Sequence, residues 1–229
     1  MSEPTKMTND KDIRAELHKY LKKKFPKAVI LDELQLSGTR ADIAVITDTG
    51  IHGYEIKSCK DVWTNLEHQA PIYNEIFDTC TLVLGGKKID NSRKVVDFFY
   101  QHEHWGIMSA REKNGKVVIG DIFGAWQNPK QDLAELCMII SKMDFRDVFE
   151  LEGVHIKDVR YHQNDKFDVV KRAIEIIGED KLKKRMLKFI QHIIPENREY
   201  HKQGLMPPVK KRGRMKPRTP TVQTQMLKL

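Results

Sequence analysis

Between Asn9-Asp10 and Pro26, the residues Ile13, Leu17, Tyr20, Leu21 and Lys24 recur at three- and four-residue intervals. Asn and Asp accept hydrogen bonds from the free N–H groups of a first helical turn, and proline cannot continue a helix. The spacing therefore predicts an opening amphipathic helix. The period then changes. AVILDELQL (28–36), ADIAVIT (41–47) and GIHGYEIKS (50–58), bounded by Ser37-Gly38 and Asp48-Thr49, predict three strands, the last two a hairpin. Residues 62–77 place Leu66, Gln69, Tyr73 and Phe77 on one helical face, with a kink or a late start expected from Pro71. TCTLVLG (79–85) predicts a short buried strand, and 91–102 another helix. Residues 105–110 and 116–122 predict a hairpin across Asn114-Gly115, two residues that accept positive φ.

After Asn128-Pro129 only helical periods remain: Leu133, Leu136, Ile140, Met143; then Phe167, Val170, Ile174, Ile177, ending at Gly178; then Leu182, Met186, Phe189, Ile190, Ile193, ending at Pro195. The pattern predicts an α/β domain with a mixed central sheet flanked by helices at 1–124, a helical unit at 125–201 and a basic, disordered tail at 202–229. No internal repeat is present.

Composition sharpens this division. Of 229 residues, 40 are Lys or Arg and 32 are Asp or Glu, a formal charge of +8. Residues 202–229 contain eight bases and no acid, so residues 1–201 hold 32 of each sign and the tail carries the whole excess. At 40% apolar residues the body can bury a core, which excludes a wholly disordered chain. No apolar run approaches the roughly 18–20 residues of a membrane span, and MSEPTKMTNDKD lacks a signal peptide's apolar stretch, so a soluble cytoplasmic protein is expected. Cys59, Cys80 and Cys137 are odd in number and contain no CxxC pair, and are expected as small buried or half-buried side chains.

The chemistry concentrates between Asp42 and Lys57. A two-residue turn at Asp48-Thr49 pairs Thr47 with Gly50 and brings Asp42 opposite Glu55, with Cβ atoms about 4.5–5.5 Å apart. Two carboxylates that close need a cation between them, and Mg²⁺ takes one or two carboxylates while keeping waters. Lys57 follows Glu55 by two residues, hence on the same face and across from Arg40. Such a group suits phosphodiester hydrolysis, in which cations neutralise the charge that builds on the phosphate. A three-residue loop would instead send Asp42 to the other face. The bare Glu-x-Lys triplet carries little weight, because it recurs at Glu179-Asp180-Lys181 with no hairpin before it. Unaided physics leaves a solvated cross-strand charge cluster open as the other reading.

The string Gly38-Thr39-Arg40-Ala41-Asp42-Ile43-Ala44-Val45-Ile46, then His52-Gly53-Tyr54-Glu55-Ile56-Lys57-Ser58 and Gln69-x-x-x-Tyr73, resembles the PD-(D/E)XK nuclease superfamily. Within it the resemblance is to a bacterial and phage branch known by a locus-tag name, and extends to Phe77-Asp78, Thr81-Leu82-Val83, Trp105-Gly106-Ile107 and Asn128-Pro129, but not to the tail. It implies a restriction-endonuclease-like core and a metal-dependent deoxyribonuclease. Asp42, Glu55 and the backbone carbonyl of Ile56 would ligate Mg²⁺ or Mn²⁺. Lys57 would be the catalytic lysine and Gln69 a supporting polar residue. The superfamily's proline is Ala41 here. A further acid would come from Glu33 on the first strand, ranked above Glu16 on the first helix. Members often cut as dimers, so a homodimer or larger complex is implied.

Other candidates read more plainly. His102 and His104 suit a solvated loop, His52 a packing role, and Trp63, Trp105 and Trp126 core packing; Gly85-Gly86-Lys87-Lys88 reads as a basic turn. Lys210, Lys211, Arg212, Arg214, Lys216 and Arg218, without interleaved aromatics, suit sequence-independent attraction to DNA phosphates, with RNA, a localisation address or a solubilising end as alternatives. Rival readings of the whole chain are a non-catalytic nucleic-acid-binding or accessory protein that keeps the fold, and a neutral interaction protein.

Overall fold

A computed structural model of the chain describes residues 9–58, 61–86 and 92–202. The chain divides into two compact units, Met1–Ile139 and Ile140–Leu229.

In the first unit, helix α1 (Asp10–Lys24) starts where the Asn9 side chain accepts the Asp12 N–H at 2.9 Å. Strands β1 (Val29–Gln35), β2 (Arg40–Ile46) and β3 (Ile51–Lys57) follow, then α2 (Thr64–Ile76) and β4 (Thr79–Gly85). Helix α3 (Ser92–Gln101), strands β5 (Gly106–Lys113) and β6 (Lys116–Phe123) and the short helix α4 (Leu133–Met138) complete it. The six strands form one mixed sheet in sequence order, antiparallel except for β3–β4 and β4–β5. Each parallel step needs a crossover, and α2 and α3 supply the two.

Strand alternation decides what each face buries. Ile43 and Val45 of β2, Tyr54 and Ile56 of β3, Val83, Met108 and Ala110 pack against Ile13, Leu17 and Leu21 of α1. The alternate residues of β3 turn toward α2. Gly53 is required there, because an added Cβ would lie 2.6 Å from the Phe77 ring. Tyr73 and Phe77 meet at 5.0 Å between ring centroids, and the fully buried Trp105 links Tyr73 to Phe98 of α3.

The observed elements follow the hydrophobic pattern closely. Thr47 N–H donates to Gly50 O at 2.9 Å, closing the two-residue turn expected at Asp48-Thr49. Asn114 and Gly115 take φ of 53° and 74°, as the second hairpin requires. Pro71 sits inside α2 at an exposed position, and the helix continues past it to Ile76.

The change of period at 125 does not coincide with the change of unit. Asn128 Nδ2 donates to the carbonyls of Asn74 and Phe77 at 2.5 and 2.9 Å, capping the end of α2, and Asp132 N–H donates to Glu75 O at 2.8 Å. These bonds tie residues 125–139 to the α/β unit. In the second unit, α5 (Lys142–Leu151), α6 (Lys166–Ile177) and α7 (Glu179–Lys202) bury Phe145, Phe149, Val169, Val170, Leu182, Met186 and Ile190. Gly178, at φ 89°, separates α6 from α7 as expected. Pro195 does not end α7, which runs on to Lys202. A proline removes one donor and crowds the preceding turn, but leaves later residues free to make their own helical bonds. Among the described residues no helix is long and apolar enough to cross a membrane.

Candidate active site

Three strands place three acids side by side. The β1–β2 register sets Asp32 opposite Ile43 and Leu34 opposite Ala41, so Glu33 lies opposite Asp42. The β2–β3 register sets Ile43 opposite Tyr54, and the next pair along is Asp42 and Glu55. Adjacent strands lie about 4.7–4.9 Å apart, so Glu33, Asp42 and Glu55 form a row across the sheet. Glu33 has a φ of 55°, uncommon for a non-glycine residue and costly within a strand.

The row is braced by cations and donors. Lys57 Nζ donates to Glu55 Oε1 at 2.6 Å and to Gln69 Oε1 at 2.9 Å. The Tyr73 hydroxyl donates to Glu55 Oε2 at 2.5 Å and accepts the Asp42 N–H at 3.3 Å. Asp42 Oδ2 accepts the Ile56 N–H at 2.8 Å, and Asp42 Oδ1 accepts Arg14 Nη2 at 3.0 Å. Arg14 Nη1 donates to the Asp42 carbonyl at 2.6 Å. Arg40 Nη1 and Arg14 Nη2 reach Glu33 at 2.6 and 3.3 Å.

Exposure grades along the row. Glu55 and Lys57 are buried, the Asp42 side chain is 21% exposed and that of Glu33 40%. Access for a ligand is therefore from the Glu33–Asp42 end. Burial and the neighbouring Asp42 charge push the Glu55 carboxyl up to about 7, against the pull of Lys57 and Tyr73. Burial also raises Asp42, although the Ile56 N–H and Arg14 oppose it. Tyr73 is driven well above its ordinary value by burial and by the Glu55 charge. Burying Glu55 and Lys57 is costly unless the remaining hydrogen bonds are made, and Tyr73 and Gln69 make them.

Among the described residues, no group of three or more His, Cys, Asp and Glu side chains is arranged to hold a metal ion. The pair Asp42 and Glu55 is a smaller set of hard oxygen donors. With waters completing the shell it matches what Mg²⁺ or Mn²⁺ takes, in number and in chemistry.

The expected residues separate clearly. Asp42, Glu55, Lys57, Ile56 and Gln69 come together, and Glu33 and Arg40 join them through Arg14 and their own ion pair. Glu16 does not: it pairs with Lys19 on α1 at 2.6 Å. His104 Nε2 lies 2.9 Å from Asn74 Oδ1, which also accepts the Trp105 indole N–H at 2.7 Å. His52 stacks on Phe25, as a packing role requires. Trp126, expected in the core, is 72% exposed, because it follows the edge strand β6 beyond the covered part of the sheet. Cys80 and Cys137 are buried, as expected, and the Cys80 thiol donates to the Tyr73 carbonyl at 3.5 Å. Cys59, Lys87, Lys88, Lys210, Lys211, Arg212, Arg214, Lys216 and Arg218 lie outside the described residues. Two participants escaped the sequence reading. Arg14 follows Ile13 on α1 with no local sign that it reaches the sheet. Tyr73 was placed on the α2 face, four residues after Gln69, but its hydroxyl's partners were not.

Fold and site together define a mixed α/β protein with a buried carboxylate–lysine pair at the closed end of a row of acids. The family model for bacteriophage P4 protein cII matches residues 4–215, and the chain belongs to that family. No curated protein and no solved structure matches the chain.

Proposed function

We propose that this chain is a metal-dependent nuclease that hydrolyses DNA phosphodiester bonds on a restriction-endonuclease-like α/β core. The observation that carries the reading is the convergence of Asp42, Glu55, Lys57 and Gln69: the Lys57 ammonium lies 2.6 Å from Glu55 and 2.9 Å from Gln69, and the Tyr73 hydroxyl links Glu55 to Asp42. Asp42 and Glu55, with the Ile56 carbonyl, would hold Mg²⁺ or Mn²⁺; Glu33, expected as a further ligand, is instead engaged by Arg14 and Arg40 at the outer end of the row. The chemistry such an ion supplies is a more acidic water and neutralised phosphate charge. Lys57, fixed between Glu55 and Gln69, presents a positive charge at the same face. Tyr73 orients Glu55 while its oxygen ties down the backbone at Asp42. Arg40, 59% exposed at its side chain, stands where a phosphate backbone would approach. The bases of residues 202–229 add sequence-independent grip. The family's bacteriophage origin suits action on DNA in a bacterial cytoplasm.

The test is cleavage of plasmid, linear, single-stranded and branched DNA with Mg²⁺ or Mn²⁺, beside Asp42→Ala and Lys57→Ala proteins verified as folded. Each substitution is expected to lower the rate by about 10²-fold or more, the scale of losing a group that stabilises transition-state charge. Cleavage that persists in both variants sinks the assignment.

A second reading is favoured by one observation. Each carboxylate oxygen of Asp42 and Glu55 already accepts a donor from the chain itself. An accessory nucleic-acid-binding protein that keeps the fold without turnover would have such a site. It predicts DNA binding with no cleavage under any divalent ion.

A further inference from the structure

Arg14 is the cation in most direct contact with Asp42. Its guanidinium meets four acids: Asp10 at 3.3 Å, Asp32 at 3.3 Å, Glu33 at 3.3 Å and Asp42 at 3.0 Å. It also grips the Asp42 main-chain carbonyl at 2.6 Å. The arrangement is asymmetric. Asp10, Asp32 and Glu33 have side chains 48%, 42% and 40% exposed, whereas Asp42 is 21% exposed and belongs to the inner pair with Glu55. A guanidinium presents five N–H donors in a fixed fork, so it can keep its outer carboxylates while giving up one inner contact.

We propose that Arg14 is a resident counter-cation of the acid row, which competes with a divalent ion for Asp42 and so sets how tightly the site takes that ion. The inference rests on the reading of Asp42 and Glu55 as metal ligands. Like charges close together in a poorly solvated site repel strongly, so a fixed +1 bonded to one ligand weakens the binding of a +2 ion beside it. The strained backbone of Glu33 fits this role. Its αL conformation lies at the point in β1 where an acid meets both Arg14 and Arg40, and so gives Arg14 a second holder next to Asp42. Arg14 is thus a positioning residue. It neutralises the row when no ion is present and retains anchors on Asp10, Asp32 and Glu33 when Asp42 turns to one.

The experiment is calorimetric titration of the full chain with Mn²⁺ alone, without DNA, for wild type, Arg14→Gln, Arg14→Lys and Asp42→Asn. Arg14→Gln is expected to bind Mn²⁺ at least tenfold more tightly than wild type. Arg14→Lys, which keeps the charge but loses the fork, should fall between, about threefold tighter. Asp42→Asn should take up no ion. A purely structural Arg14 would not tighten ion binding when removed. If Asp42→Asn abolishes binding while Arg14→Gln binds no more tightly than wild type, the competition is refuted and the metal site stands. Uptake that does not depend on Asp42 in any variant, or no uptake at all, overturns the site and the inference together. Should Arg14→Gln fail to fold, Arg14→Lys decides alone, and affinity equal to or below wild type refutes the proposal.

Discussion

Glu55 shows how one residue couples the site to stability. Its folded-state carboxyl titrates near 7 rather than 4.5, because it is buried beside Asp42. Between those values the native protein keeps a proton that the unfolded chain has released. Its contribution to stability therefore declines as pH rises through that window. Relative to Glu55→Gln, wild type should lose melting temperature between about pH 5 and pH 7.5. A constant difference across that range would show that Glu55 is not the group responsible. Tyr73→Phe deletes one hydroxyl that serves the buried Glu55 carboxylate and the partly buried Asp42 N–H. It should cost about 1–3 kcal/mol in denaturant unfolding, the scale of leaving such groups unpaired. At this scale the sequence was informative wherever contacts were local. The Asp48-Thr49 turn length dictated the Asp42–Glu55 register, and period two carried it to Lys57. Arg14 was illegible because its partners at Asp32, Glu33 and Asp42 depend on how α1 lies over the sheet, which no spacing along the helix encodes.

Elements were legible to the extent that one periodic pattern and one terminator defined them. Asn9, Gly178 and the Asn114-Gly115 turn each act where expected, whereas Pro195 acts only on its own turn. The Glu-x-Lys triplet illustrates why the element matters more than the motif. At Glu55 it lies on β3, where period two puts both side chains on one face. In Glu179-Asp180-Lys181 it opens α7, and Lys181 turns to Glu152 instead, at 2.5 Å. Arg185 reaches the same carboxylate at 2.5 Å. Burial opposes ionisation of Glu152, but these two cations hold its carboxyl below the ordinary value. The sign is then opposite to that of Glu55: stability is present above the unfolded-state carboxylate range and is lost as pH falls through the folded-state value. Circular dichroism of acid unfolding should show wild type losing helix more steeply below about pH 4.5 than Glu152→Gln, which cannot shed that charge. Equal slopes would remove the bridge from the account.

For the whole molecule, a charge of +8 alone points vaguely to nucleic acid. Its partition between a neutral body and a basic tail gives a sharper expectation. Removing residues 203–229 should weaken DNA binding and flatten the dependence of log K on log salt, by up to about 0.9 per lost phosphate contact on duplex DNA. An unchanged slope would take the tail out of binding. The position of the unit boundary was not legible, because residues 125–139 read as helical yet are bonded to α2 through Asn128 and Asp132. One further consequence follows from Trp105 sealed among Tyr73 and Phe98. The chain has three tryptophans, Trp63, Trp105 and Trp126, and all of them precede Ile140. Indole fluorescence therefore arises from the first unit alone, whereas far-ultraviolet ellipticity draws on the helices of both. Recording both on one sample separates the melting of the two units without cutting the chain or adding a label.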